Sequence, residues 1–261
     1  MSELLLVSPS RATDKAWTAA ADVAAVALGL GIRYRLVGGL AVTLLAHYHG
    51  VDGRVPARET ADADMAVPRE VCADTGLIDA LTCLGYRPVR SDGEVVGNEF
   101  VKGPDDPPVT VDVLTVSWSG RKEVSAGPLV ADAFPGMHTA LMLAATTVDV
   151  RAVLTDSTEL ALSVAVPDVR AALVLKAHAY RDRFAGRDAV DVWRLLEAAN
   201  AAGHTGADWP TTSGAAAPAV FLQQFFGSPN GVGASQASAR RADQERVRAL
   251  TMRVVPRGPG G

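Results

Sequence analysis

The chain has 261 residues, 48% of them hydrophobic, and a formal net charge of −4. That is enough apolar content for one large core or two smaller ones, and it gives no global attraction for nucleic acid, so any RNA partner would need a local basic patch. No apolar run is long enough to cross a bilayer, and Met1 to Arg11 has neither the basic leader nor the apolar length of a signal peptide, so a cytoplasmic protein is expected.

In chain order, residues 14–30 place Trp17, Ala21, Ala24, Ala25 and Leu28 at helical spacing before Gly29 and Gly31. This predicts an amphipathic helix packed on a sheet. Arg33 to Val37 reads as the first strand, delivering Gly38-Gly39 to a helix over 40–48. His47 and His49 are two residues apart at that helix end, hence not on one face, and are read as helix-end residues. After a polar loop with Asp52, Arg54 and Arg58 comes Arg58-Glu59-Thr60-Ala61-Asp62-Ala63-Asp64-Met65-Ala66-Val67. On a strand, Asp62 and Asp64 would project from the same face. A helix is expected over 69–84, with strands near 86–90 and 95–102 and another through Pro108-Val109-Thr110-Val111-Asp112-Val113-Leu114, whose β-branched residues argue for burial. Cys72 and Cys83 lack metal-ligand spacing and are expected as reduced core residues.

From Thr115 to Val166 the pattern gives a helix over 136–147 and strands over 151–154 and 159–166, with no evident chemistry. Pro167-Asp168-Val169-Arg170 opens a helix with proline in its first turn and an acid at its positive end. Val169, Leu173, Lys176 and Tyr180 share one face of it. A further helix opens at Gly186-Arg187-Asp188-Ala189-Val190-Asp191. A connector over 203–218 and short helices over 218–226 and 236–253 follow. The last of these carries Arg240, Arg241, Arg246, Arg248 and Arg253, a stretch that suits either RNA phosphates or plain solvation, and disorder is expected from Pro256 to Gly261.

Each piece has a plain and a chemical reading. Gly38-Gly39 is an ordinary tight turn, or a place where backbone and a helix N-terminus approach phosphate. Asp62 and Asp64 are the solvent face of an edge strand, or a pair whose repulsion calls for a cation. Asp112, flanked by valines, is a buried acid in need of a partner. Arg58 is a solvated loop residue or a triphosphate contact. Lys176, set among apolar residues, snorkels outward or meets an anion. The chemical readings converge on a nucleoside triphosphate with Mg²⁺, a hard ion that commonly shares its site with substrate phosphates.

The order Gly-Gly, then Arg-x-Thr-x-Asp-x-Asp, then an isolated Asp on a later strand resembles nucleotidyltransferases of the DNA polymerase β superfamily. Within it the chain looks most like the AbiEii/MenT group of toxin nucleotidyltransferases, from about residue 30 to about residue 200. The resemblance implies an α/β fold, a mixed sheet with flanking helices and a mostly helical C-terminal part. The chain then divides into a core over 1–120, connecting elements over 121–166, the helical part over 167–255 and a tail over 256–261.

The resemblance also implies that Asp62, Asp64 and Asp112 hold Mg²⁺, that Gly38 and Gly39 cradle phosphates, and that Arg58, Lys176 and Arg181 meet them. Lys176 and Arg181 match the family's Lys-x4-Arg/Lys pattern, and Asp188 and Asp191 its Arg/Lys-Asp-x-x-Asp segment. By position alone Asp188 complements the helix dipole, and Asp191 could orient Lys176 or Arg181. The function implied is transfer of nucleotides from a nucleoside triphosphate to the 3′ end of tRNA, by a toxin with a cognate antitoxin protein. The alternatives are a resistance-type transferase acting on an aminoglycoside or lincosamide, and a catalytically silent nucleotide-binding module. An acidic cleft would favour the antibiotic, a basic rim the tRNA.

Overall fold

The computed structural model describes residues 3–91, 95–117 and 123–257. Leu4–Val7 (β1), unassigned from the sequence, is the first element. Ser10 then accepts a hydrogen bond from the Thr13 N–H and caps the helix Arg11–Leu30 (α1). This helix buries Ala16, Trp17, Ala20, Val23 and Ala27. The stripe expected from the sequence lies about one residue further round, and Leu28 is 85% exposed. Alanines line both the expected and the buried stripe, so composition alone does not separate the two faces.

Arg35–Val37 (β2) passes directly into Gly38–Tyr48 (α2), so the two glycines form the first turn of the helix and do not precede it. Asp62–Ala66 (β3) follows the polar loop. In place of the helix expected over 69–84 there is a 3₁₀ turn at Arg69–Cys72 and a helix at Gly76–Cys83 (α3). Between them Asp74 Oδ1 accepts from the Gly76 N–H, a local bond that competes with a continuous helix. Cys72 is buried as expected, whereas Cys83, at the end of α3, is exposed.

Strands Arg87–Ser91 (β4), Val95–Lys102 (β5) and Val109–Val116 (β6) fall where expected. Glu123–Ala126 (β7) and Leu129–Phe134 (β8) were not read from the sequence. Met137–Met142 (α4) stops well short of residue 147, and Thr146–Val153 (β9) and Glu159–Val166 (β10) follow. The C-terminal part is helical: Val169–Arg183 (α5), Gly186–Ala201 (α6), Ala216–Leu222 (α7), Gly233–Ala237 (α8) and Arg241–Val254 (α9). The single helix expected over 236–253 is thus two. The disorder expected from Pro256 does not begin there, because Gln223 Nε2 donates to the carbonyls of Val255 and Pro256. Residues 258–261 lie outside the described residues.

The larger sheet runs β2-β3-β6-β5-β8-β7, with β4 beside β5, and the smaller runs β1-β9-β10. The larger one is mixed, since β3 is antiparallel to β2 and parallel to β6, while β5 is antiparallel to β6. α1 packs on β3 and β6 and also on β10, joining the two sheets through one core. Strand periodicity sorts the residues. Ala63, Met65, Val111 and Val113 are fully buried, and burying each larger side chain contributes roughly 1.5–3 kcal/mol. The residues between them, Asp62, Asp64 and Asp112, are pushed to the opposite face. Among the described residues, no helix is long and apolar enough to cross a membrane.

Candidate active site

The antiparallel pairing of β2 with β3 sets Val37 opposite Asp64 and brings the next residue, Gly38, against the Asp64 side chain. Gly38 has φ 73°, in the left-handed region, and a Cβ there would fall 1.7 Å from Asp64 Oδ2. A Cβ on Gly39 would fall 2.8 Å from Arg58 Nη1 and 2.9 Å from Thr60 Oγ1. Glycine is therefore required at Gly38 by the protein's own backbone and Asp64, before any ligand is considered, while a side chain at Gly39 would displace Arg58 and Thr60. The Thr60 hydroxyl donates to Asp62 Oδ1 at 3.0 Å and fixes that carboxylate.

The parallel pairing of β3 with β6 sets Asp64 beside Asp112, and on the other flank Asp112 faces Glu99 of β5. Burial and the charge of Asp62 push Asp64 up to about 6, against the pull of Lys176, Arg183 and Arg58. Burial, followed by the charges of Asp64, Asp62, Glu99 and Asp132, pushes Asp112 up to about 7. These carboxyls are thus held in an excess of negative charge.

Opposite them stand cations. Lys176 is 7% exposed, with Nζ 2.8 Å from Asp191 Oδ2 and 3.8 Å from Asp188 Oδ1. Arg58 Nη1 reaches the same Asp191 oxygen at 2.6 Å. Arg183 binds Asp188 through two hydrogen bonds, at 3.0 and 2.8 Å. Burial alone would raise the Asp188 carboxyl, but the bonds from Arg183 and the charges of Lys176, Arg183 and Arg187 hold it below the ordinary range. Both Asp188 and Asp191 are buried, and they position cations from below, with no place in the lining.

The cleft between the two groups is lined by Gly38, Gly39, Asp62 and Asp64, by Arg58, Lys176, Arg183 and Arg187, and by apolar Leu114, Phe134, Met137 and Leu175. Asp112 stands next to Asp64 on the sheet but outside this lining. Arg181 is also outside it: its guanidinium lies 4.9 Å from the centre of the Phe221 ring. The cation in the place expected of Arg181 is Arg183, and helical geometry gives the reason. Residues seven apart share a helix face and residues five apart do not, so Arg183 falls in line with Lys176. That spacing was readable from the sequence. Phe134 and Met137, from a stretch where no chemistry was read, carried no such signal.

Among the described residues, no cluster of three or more histidine, cysteine, aspartate or glutamate side chains is close enough to hold a metal ion unaided. The donor set nevertheless fits Mg²⁺, which usually takes one or two carboxylates and completes its shell with water and substrate phosphate. Asp62 and Asp64 are two hard oxygen donors facing a cleft, and Asp64 is held up by burial and by the charge of Asp62 in spite of Lys176, Arg183 and Arg58.

No family model matches the sequence, and no curated protein matches it. Seven chains of known structure do. A crystal structure of an antigenic nucleotidyltransferase-like protein from Paracoccidioides brasiliensis is similar over 94% of this chain and 95% of that chain, at 17% identity and a TM-score of 0.51. The solution structure of the antibiotic-resistance factor ANT(2″)-Ia aligns over 89% of each chain at 15% identity, with a TM-score of 0.37. The fold is thus similar, over nearly the whole chain, to that of the nucleotidyltransferase-like protein.

Proposed function

We propose that this chain is a Mg²⁺-dependent nucleotidyltransferase that moves a nucleoside monophosphate from a nucleoside triphosphate to an acceptor hydroxyl. The observation that carries the reading is the cleft itself, which gathers Asp62 and Asp64, a glycine pair and the cations Lys176, Arg58, Arg183 and Arg187 in one lining. Asp62 and Asp64 would hold Mg²⁺, with Asp112 beside them, and the ion would neutralise and orient the triphosphate. The cations bind the phosphates, and the N–H groups at the start of α2 add to them. Asp112, beside Asp64 on the sheet, would take the proton of the acceptor hydroxyl. The acceptor oxygen bonds to the α-phosphorus as the bond to the β-phosphate breaks, and pyrophosphate leaves. Positioning and charge neutralisation then do the work without a covalent nucleophile.

The acceptor implied by the sequence resemblance is the 3′ end of tRNA, modified in the cytoplasm by an AbiEii/MenT-like toxin that a partner antitoxin would hold in check. A second reading, a cationic hydroxylated small molecule of the aminoglycoside or lincosamide kind, is favoured by the sheet face beyond Asp64. There Asp112, Glu99 and Asp132 gather in neighbouring register. Of the C-terminal arginines, Arg246 is bound to Glu197 and Arg241 to Glu245. Incubation with Mg²⁺, each labelled nucleoside triphosphate, and either total tRNA or an aminoglycoside panel tests the proposal. Label on either acceptor supports transfer and identifies the acceptor class. Nucleotide binding without transfer to any hydroxyl leaves the silent-module alternative in its place.

The placement of Arg183 gives a specific expectation. Arg183→Ala weakens nucleoside triphosphate binding by about tenfold or more, the scale of one charge-assisted contact. Arg181→Ala leaves it within about twofold. Titration calorimetry of the two variants checks this, and the reverse order would place the triphosphate elsewhere.

A pH dependence also follows for the metal-free protein. Asp112 is raised in the folded state, so between about pH 4 and 7 the native chain keeps a proton that the unfolded chain releases, and this group's contribution to stability falls as pH rises through the window. Burial lowers His47, His49 and His178, which act in the opposite sense over part of the same range. The expected signal is therefore a difference: the Tm of Asp112→Asn minus that of the wild type grows steadily from pH 4 to 8. A flat difference would show that Asp112 is not held in excess negative charge.

A further inference from the structure

Arg58 lines a second hollow as well as the cleft. This one has a volume of about 330 Å³, within the roughly 300–1,000 Å³ usual for small-molecule sites. Leu5, Leu6, Trp17 and Leu40 give it apolar walls, and Thr43, His47, Asp52, Arg58 and Arg194 bring polar groups to it.

Arg194 is the unusual member. It is 2% exposed, and its Nε is buried with no hydrogen-bond partner. Among the described residues, its guanidinium has one hydrogen bond, to the Thr43 hydroxyl at 3.2 Å, and no carboxylate in ion-pair contact. The two nearby acids favour its charge from a distance but make their contacts elsewhere: Asp191 Oδ2 with Arg58 and Lys176, its Oδ1 being buried without a hydrogen-bond partner, and Asp52 with His47 Nδ1 at 3.4 Å. Burial, opposed by Asp191 and reinforced by Arg58, holds the Arg194 guanidinium below its usual range. A buried cation without its own counter-ion is costly, and a bound anion relieves that cost.

We infer that this hollow is a binding site for a small anion carried on an apolar body, such as an aromatic or aliphatic carboxylate or phosphate monoester. Arg194 holds the charged end, with Arg58 facing it, and Leu6, Trp17 and Leu40 take the apolar body; the Thr43 hydroxyl, which donates to the Gly39 carbonyl, accepts from Arg194 and fixes the guanidinium. The inference is independent of nucleotidyl transfer.

Titration of the full chain, without Mg²⁺ or nucleotide, with benzoate, phenyl phosphate and inorganic phosphate tests it. Benzoate or phenyl phosphate, whichever head group the site prefers, is expected to saturate the wild type and the cleft variant Arg183→Ala equally. Inorganic phosphate, lacking the apolar body, binds at least about tenfold more weakly, and Arg194→Gln lowers the affinity of the preferred probe by about tenfold or more. Leu5 lies on the rim and is 66% exposed, so Leu5→Glu is compatible with folding even if Arg194→Gln is not, and its like charge weakens the same probe. The inference is overturned if neither organic probe saturates the wild type at millimolar concentration. It is equally overturned if Arg183→Ala abolishes the binding while Leu5→Glu and Arg194→Gln preserve it, because the anion would then sit in the cleft.

Discussion

Asp64→Asn is expected to abolish nucleotidyl transfer, by about 10³-fold or more, while the metal-free protein at pH 7.5 becomes more stable. Loss of activity follows because the amide keeps the carboxylate's shape but removes a charge from the wall of the cleft, and groups that stabilise a phosphoryl transition state are commonly worth several kcal/mol. The gain in stability follows because Asp64 is held up near 6 by burial and by Asp62. Its ionised form is disfavoured in the folded chain at neutral pH, and the amide has nothing to ionise. A residue needed only for packing would lose activity and stability together. A transfer assay paired with thermal denaturation in chelator separates the two, and a variant that keeps its activity would remove Asp64 from the site.

Gly38→Ala is expected to be nearly as damaging for a different reason. The left-handed backbone at Gly38 costs an L-residue about 1–2 kcal/mol, and the new methyl would stand 1.7 Å from Asp64 Oδ2. Either the carboxylate swings out of the cleft or the start of α2 moves. A drop in Tm of several degrees is expected, at about 2–4 °C for each kcal/mol in a chain of this size, together with a loss of activity of about 10²-fold or more. Gly29→Ala, where nothing lies within 4 Å of the added atom, serves as the control and should be neutral or stabilising. Equal effects of the two substitutions would mean that the contact with Asp64 has no functional weight.

Much of this site was legible in the sequence because it rests on short-range rules. Alternation places Asp62 and Asp64 on one face and their apolar neighbours on the other, and the β-branched run around Asp112 marks its strand. The glycine pair was legible as a feature, but its cause was not. Only the register of β2 against β3 shows that Asp64 requires Gly38 to lack a side chain. Asp191 was anticipated as an orienting group for Lys176. Its hold on Arg58 was not, since that contact joins positions 133 residues apart. β7 was missed because it has only four residues, and β8 because five of its six residues are apolar, which hides its in–out alternation; in α1 the expected stripe includes the buried Trp17 but lies about one residue round from Ala16, Ala20 and Val23.

Arg58 contributes to the walls of two separate hollows and is anchored by one buried carboxylate, Asp191. Thermodynamic linkage gives this sharing a consequence. If the proposed anion in the second hollow draws on Arg58 and so alters nucleotide affinity in the cleft by some factor, nucleotide must alter that anion's affinity by the same factor. A single arginine would then let a small metabolite report on, and set, the occupancy of the cleft.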